Sequence, residues 1–281
     1  MAERLVQANG VEICTEPFGD PADPAVLLVM GTGGSMLWWD ERFCALLAGH
    51  GRFVIRFDHR DTGRSVTYEP GRPAYSGADL VADAAGILDA YGIPAAHVVG
   101  VSAGGALAQV LAVDHPDRVL SLVLVSTSSA VADERTPLPG PAEELGRFFG
   151  TPPPDIADRD AYTEYLVAYQ RVLAGGRRPF NELSARDLVR RDIERARSYP
   201  SIRNHELIDG AVPSGPLSEI SAPTLVVHGT ADPMFPAEHG EALARAIPCA
   251  RLMLLEGAGH GVEPADWESL SGAIAEHTCR G

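Results

Sequence analysis

One serine stands between two glycines in the stretch Gly100-Val101-Ser102-Ala103-Gly104, directly after the apolar run 97–101 and directly before the helix-forming run ALAQVLAV (106–113). A chain that turns so sharply from strand to helix needs small residues around the apex, because backbone and helix must approach each other. Such a corner holds a hydroxyl out at its tip, where it can attack a carbonyl. An unaided hydroxyl is a poor nucleophile, so the chemistry requires a base and an acid that orients the base. When G-x-S-x-G lies between strand and helix, these partners follow in the order serine, acid, histidine. Asp232, in GTADPMFP after the run TLVVH (224–228), fills the acid's place. His260, in EGAGHGVEP after RLMLL (251–255), fills that of the base. Both loops leave the carboxyl ends of their strands, the edge of a parallel sheet where catalytic groups collect.

The remaining candidates fit these roles less well. His228 ends its strand and is expected to pack or hydrogen-bond beneath the site. His97 opens the serine's strand at the wrong end, and Asp114 and His115 close the following helix, far from its tip. Asp133 is an alternative acid, several residues out from the run VLSLVLV (119–125). Acyl transfer also needs donors for the developing oxyanion. The Ala103 N–H, in the first helical turn, is one, and the helix dipole favours negative charge there. The glycine-rich Gly31-Thr32-Gly33-Gly34 supplies the second, with Thr32 the first choice and Gly33 the next. These glycines do not make a nucleotide site, since no Lys-Ser/Thr follows and G-x-G-x-x-G is absent. Trp38, Trp39, Tyr165 and Tyr169, with Gly33, are the candidates to line a substrate pocket. Tyr162 shares the helical spacing of the two tyrosines and suits core or lid packing. The stretch FDHRDTGRS (57–65) is expected to shape a tight loop beside the site and is assigned no chemistry.

These side chains can meet only if the chain builds a sheet beneath them. Nearly continuous apolar runs at 25–30, 52–57, 97–101, 119–125, 224–228 and 251–255 read as strands covered on both faces, the mark of a parallel sheet between helices. An Asn9-Gly10 pair between two β-rich runs predicts a tight hairpin. Leu80, Ala84, Ile87, Leu88 and Tyr91 share one helical face, with Ser76 and Asp79 as a capping box and Gly92 as a stop. Further helices are expected over 236–247 and within 264–278. From about Ala130 to Pro216 the alternation breaks, with TPLPGP and TPPP, helical pieces such as 160–173 and no clear buried strand. The expected organisation is an α/β core of residues 1–129 and 217–281 carrying a helical cap, 130–216, inserted after the sixth strand. Both ends of the cap are expected on the catalytic edge, where it chooses the substrate without supplying chemistry.

With 281 residues, 45% of them hydrophobic, the chain can bury a sizeable core, and its net charge of −15 repels phosphate backbones. That argues against nucleic acid and anionic membranes as partners and leaves a small neutral substrate open. Cys14, Cys44, Cys249 and Cys279 lack C-x-x-C spacing, so a disulfide framework or zinc site is not expected. The start MAERLVQANG has no apolar signal region and no run reaches membrane-spanning length, so a cytoplasmic protein is expected.

The pieces FGDPADPA, LLVMG, VIRFDHRDTGRS, AHVVGVSAGG, DHPDRVLSLVLV, PTLVVHGTADP and IPCARLMLLEGAGH resemble the α/β-hydrolase superfamily, and within it the group that contains aclacinomycin methylesterase. The resemblance covers most of the chain outside the insertion. It implies Ser102 as nucleophile, Asp232 as acid, His260 as base, Thr32 and Ala103 as oxyanion donors, and the insertion as a helical cap. Residues and resemblance together lead to a serine hydrolase cleaving carboxylic esters of small to medium apolar or aromatic substrates, with no metal or organic cofactor. Two other readings stay open: a cofactor-free haloperoxidase or perhydrolase with the same triad, and a catalytically slow ligand receptor on the same fold. Epoxide hydrolase and dehalogenase readings are disfavoured, because those relatives use an aspartate where Ser102 stands.

Overall fold

The computed structural model describes residues 2–131 and 137–279. Its strands are β1 (Arg4–Ala8), β2 (Val11–Phe18), β3 (Ala25–Val29), β4 (Phe53–Phe57), β5 (Ala96–Val101), β6 (Val119–Val125), β7 (Thr224–Gly229) and β8 (Arg251–Leu255). β3, β4, β5 and β7 are buried at every position, whereas β8, at the edge of the sheet, leaves Leu252 and Leu254 exposed, against the expectation that 251–255 is covered on both faces. The sheet order is β1-β2-β4-β3-β5-β6-β7-β8. From β4 to β8 every neighbour is parallel, whereas β2 runs antiparallel to β1 and β4. Asn9 and Gly10 close the first hairpin with φ of 47° and 75°, the positive values a tight turn between twisted strands demands.

The pleat sorts side chains onto two faces. On β3, Ala25, Leu27 and Val29 join the core under α2 (Gly77–Ala90) and α3 (Ala103–Asp114), while Val26 and Leu28 join the other core. That second face is covered by α1 (Glu41–Gly49) and α8 (Trp267–Thr278), and α7 (Glu238–Ala246) adds Leu243 to the first. Each fully buried Val or Leu contributes about 1.5–3 kcal/mol, so this two-sided sheet is a stiff platform for loops at its carboxyl edge. The expected capping box of Ser76 and Asp79 opens α2.

Between β6 and β7 lie α4 (Glu143–Phe149), α5 (Arg159–Leu173), α6 (Glu182–Arg195) and a 3-10 helix, Tyr199–Glu206; no strand occurs there among the described residues. This segment has its own small core of Tyr162, Val167, Val189, Ile193 and Tyr199. Several polar links fasten α6 to the sheet body, among them an Arg195–Glu3 pair at 2.8 Å. Arg195 pairs with Asp58 at 2.8 Å, and the Trp38 indole donates to Asp192 Oδ2 at 2.9 Å. The expectation that both ends of the segment lie on the catalytic edge does not hold. The chain leaves at the carboxyl end of β6, but β7 is the parallel neighbour of β6, so it must return to the opposite edge. It does so along α2 and α3, where the Gly77 N–H donates to Asp209 O (2.7 Å) and the Ser214 N–H to Asp114 Oδ1 (2.8 Å). No helix among the described residues is long and apolar enough to cross a membrane, and the four cysteines are unpaired.

Candidate active site

The serine corner is as tight as its glycines suggest. Ser102 lies between β5 and α3 with φ 55° and ψ −126°, backbone that a side-chain-bearing residue rarely adopts and that costs of order 1–3 kcal/mol. It is held there by its N–H bonding to Val125 O at 3.0 Å and its carbonyl accepting from Thr127 Oγ1 at 2.7 Å. A Cβ at Gly100 would collide with Gly104 O, and one at Gly104 would collide with Val29 O and come within 2.5 Å of Met30 O. Only with hydrogen at both positions can α3 sit directly on β3 and β5 and leave the serine at the tip.

Asp232 and His260 meet. His260 Nδ1 lies 2.9 Å from Asp232 Oδ2, while Asp232 Oδ1 accepts the N–H groups of Met234 (2.8 Å) and Phe235 (3.0 Å). Burial opposes ionisation of Asp232, but the bonds from His260 and Phe235, with His228 nearby, outweigh it and hold the carboxyl below the usual range. A carboxylate only accepts, so Nδ1 carries the proton and Nε2 the lone pair. The His260 loop is gripped from three sides: His260 N–H to Leu173 O (2.8 Å) at the end of α5, Gly259 N–H to Glu263 Oε1 (3.0 Å) and Gly261 N–H to Ser126 Oγ (3.1 Å). Ser126 follows Val125, whose carbonyl anchors Ser102, so His260 and Ser102 hang from the same strand end. Among the described residues, neither Ser102 Oγ nor His260 Nε2 has a hydrogen-bond partner; a base–nucleophile bond often tightens only when substrate arrives. His228 lies beneath, as expected: its Nε2 donates to Phe235 O at 2.7 Å and sits 3.6 Å from Asp232 Oδ2. Burial lowers its basicity and keeps it neutral. Asp133, the alternative acid, lies outside the described residues.

The glycine-rich loop passes over the serine. A Cβ on Gly31 would lie 3.6 Å from Ser102 Oγ, and Gly33 has φ 70°. The two oxyanion candidates in this loop differ in a way their sequence does not reveal. The Gly33 N–H is already bonded to His205 Nδ1 at 3.0 Å, whereas among the described residues the N–H groups of Thr32 and Ala103 have no partner. Donors at a helix start beside a strained serine can stabilise a developing negative charge.

The pocket candidates divide. Trp38 is half-buried beside Gly34 and bonded to Asp192. Trp39 corrects the expectation: it is 1% exposed and stacks on Phe43 (centroids 5.9 Å) in the core beneath α1 and α8. Its ring has no surface left to offer a substrate. Tyr165 and Tyr169 pack on Phe148 at 4.9 and 5.4 Å, and Tyr162 is buried in the small core, edge to face with Tyr199 at 5.9 Å. Phe235 lies 5.7 Å from the His260 ring.

Several contributors carry little sequence signal. Every residue from Asp58 to Thr62 is buried, and their polar groups bind inward. Asp58 accepts the Met36 N–H (2.9 Å), Asp61 accepts Asn204 Nδ2 (2.8 Å), and His59 Nε2 donates to Met30 O (3.0 Å). A dense polar run directly after a largely apolar strand was the one clue to this. His205 and Asn204, in the 3-10 helix Tyr199–Glu206 that no periodicity announces, gave none.

Residues 24–262 match the family model of the alpha/beta hydrolase fold. Two proteins named rhodomycin D methylesterases, from Streptomyces sp. (strain C5) and Streptomyces peucetius, are 33% and 32% identical, each alignment covering 99% of this chain and 98% of the relative. An esterase from Exiguobacterium antarcticum has the same fold, with a TM-score of 0.79 at 20% identity over 99% of this chain and 100% of that one. With the serine corner, the sheet order and matches along nearly its whole length in agreement, the chain belongs to the α/β-hydrolase fold family.

Proposed function

We propose that Ser102, His260 and Asp232 are the catalytic triad of this ester-acting hydrolase, and that it cleaves carboxylic esters through an acyl-enzyme. The observation that carries the reading is the 2.9 Å bond between His260 Nδ1 and an ionised Asp232. It selects the tautomer in which Nε2 can take the serine's proton. Ser102 Oγ attacks the carbonyl carbon as Nε2 removes that proton, and the N–H groups of Thr32 and Ala103 receive the oxyanion. The imidazolium then protonates the leaving alkoxide, and a water activated by His260 releases the acid. Asp232 stays ionised and stabilises the imidazolium.

Residues 130–216 act as the cap over this centre. Phe235 stands beside His260, and Tyr169, which senses the Asp232 charge, packs with Phe148, itself against Tyr165; this aromatic cluster supports an apolar roof. Burial, with the Asp232 charge among the smaller causes, raises the Tyr169 phenol to about 12, so it stays neutral. Such a roof favours small to medium apolar or aromatic substrates, and the relatives named methylesterases bring methyl esters into the class. An apolar pocket discriminates by only about 1–3 kcal/mol per methylene, so preference among acyl groups is moderate.

A fluorophosphonate probe should label Ser102 in the wild type and leave Ser102→Ala unlabelled. Turnover of p-nitrophenyl esters should fall by roughly five to six orders of magnitude in that variant with an unchanged melting temperature. Retention of a tenth of the activity would overturn the assignment. Peroxide-dependent halogenation outpacing ester cleavage would favour the haloperoxidase reading instead.

A further inference from the structure

His205 belongs to the segment between β6 and β7, yet both of its ring nitrogens bind the sheet body. Nδ1 accepts the Gly33 N–H at 3.0 Å, and Nε2 lies 2.8 Å from Arg60 O. A carbonyl only accepts and an amide N–H only donates, so the ring is the neutral tautomer with its proton on Nε2 and its lone pair on Nδ1. Its neighbour Ile202 packs on the same glycine, where an added Cβ would meet Ile202 Cγ1 at 3.1 Å. The other end of the loop is held in a related way, by His59 Nε2 donating to Met30 O at 3.0 Å. The two imidazoles stand edge to face, 6.1 Å apart. Residues 30–33 are thus clamped at a carbonyl by one histidine and at an N–H by the other, and Thr32 lies between the clamps.

We propose that His205 is a positioning residue for the oxyanion loop. By engaging the Gly33 N–H it removes Gly33 as a donor and fixes the Thr32–Gly33 peptide, and through the Thr32 Cα it restrains the adjoining Gly31–Thr32 peptide, whose N–H faces the reacting carbonyl. The segment over the site therefore completes the catalytic machinery as well as shaping the pocket. A loop so fixed has its donor oriented before the charge develops, which is where such donors gain their effect. The inference rests on Ser102 as nucleophile and Thr32 as donor.

Three substitutions test it. His205→Asn carries an amide oxygen close to the place of Nδ1 and can still accept the Gly33 N–H. His205→Gln carries its polar head out toward Nε2, and His205→Ala has neither. For p-nitrophenyl butyrate, His205→Ala and His205→Gln should lose about 10- to 100-fold in kcat, less than the 10²–10³ of deleting an oxyanion donor outright. KM should change less than about threefold, and His205→Asn should regain most of kcat. Binding of a trifluoromethyl ketone, which forms the oxyanion adduct, should weaken in parallel with kcat. Three variants that fall alike, a loss residing in KM, or all three within threefold of wild type would each overturn the role. Fluorophosphonate labelling of wild type at a residue other than Ser102 would sink the triad reading itself, whereas labelling at Ser102 with His205 variants of full activity sinks this inference alone.

Discussion

Replacing Asp232 with Asn tests whether the loop geometry, rather than mere proximity, sets the state of the base. The two carboxylate oxygens have unequal surroundings: Oδ1 takes two backbone N–H donors, at 2.8 and 3.0 Å, and Oδ2 faces His260 Nδ1 at 2.9 Å. An asparagine must choose which end faces which. Placing its oxygen at the Oδ1 position keeps both backbone bonds, each worth about 0.5–1.5 kcal/mol. The reverse rotamer points an NH₂ at two N–H donors and leaves them unsatisfied, at about 1–3 kcal/mol each. The backbone of Met234 and Phe235 therefore turns the amide NH₂ toward His260. An NH₂ only donates, so Nδ1 must become the acceptor and the proton moves to Nε2. The base then has no lone pair for Ser102. Such a tautomer error costs about 10⁴ in kcat, or about 5.5 kcal/mol at 1.36 kcal/mol per decade. Steady-state kinetics on p-nitrophenyl acetate at pH 7.5 should show this loss with KM little changed, and a thermal scan should show that the fold survives. A loss of less than tenfold in a folded variant would refute the claim that Asp232 sets the tautomer of His260.

Gly104→Ala should be costly in both stability and rate. Its Cβ would meet the backbone oxygens of Val29 and Met30, so α3 must lift with Ser102 and Ala103. Overpacking of this kind costs about 1–3 kcal/mol, and a melting temperature and kcat equal to wild type would contradict the close approach. Asp192→Asn should stabilise the protein at pH 7. Burial raises the Asp192 carboxyl from 3.8 to about 6 in the fold, so the fold binds that proton more tightly than the unfolded chain does. Its contribution is fullest below about pH 4 and declines as pH rises to about 6. Asparagine keeps an acceptor for the Trp38 indole, so the melting-temperature advantage of the variant should be present at pH 7 and vanish near pH 4. A pH-independent difference would show that the Asp192 charge is not what costs stability.

The sequence by itself determined the elements and the strand ends on which Ser102, Asp232 and His260 stand. Apolar runs on both sides of the pleat specify buried parallel strands, and small residues around Ser102 specify the corner. Loops after two later strands could then carry Asp232 and His260 only to the same edge of the sheet. These signals are local or repeat over many residues, so they are legible without partners. Tertiary structure decided which of two like neighbours does what. Trp38 and Trp39 are adjacent and identical in type, yet one finds Asp192 on α6 and the other stacks on Phe43 in the core. Thr32 and Gly33 were both candidate donors until His205, 172 residues beyond Gly33, took the Gly33 N–H. The polar groups of FDHRDTGRS gained their meaning only when Met30, Met36 and Asn204 came to meet them. A single hydrogen bond between distant residues leaves no periodicity in the chain, and its partner is chosen only when the segments pack.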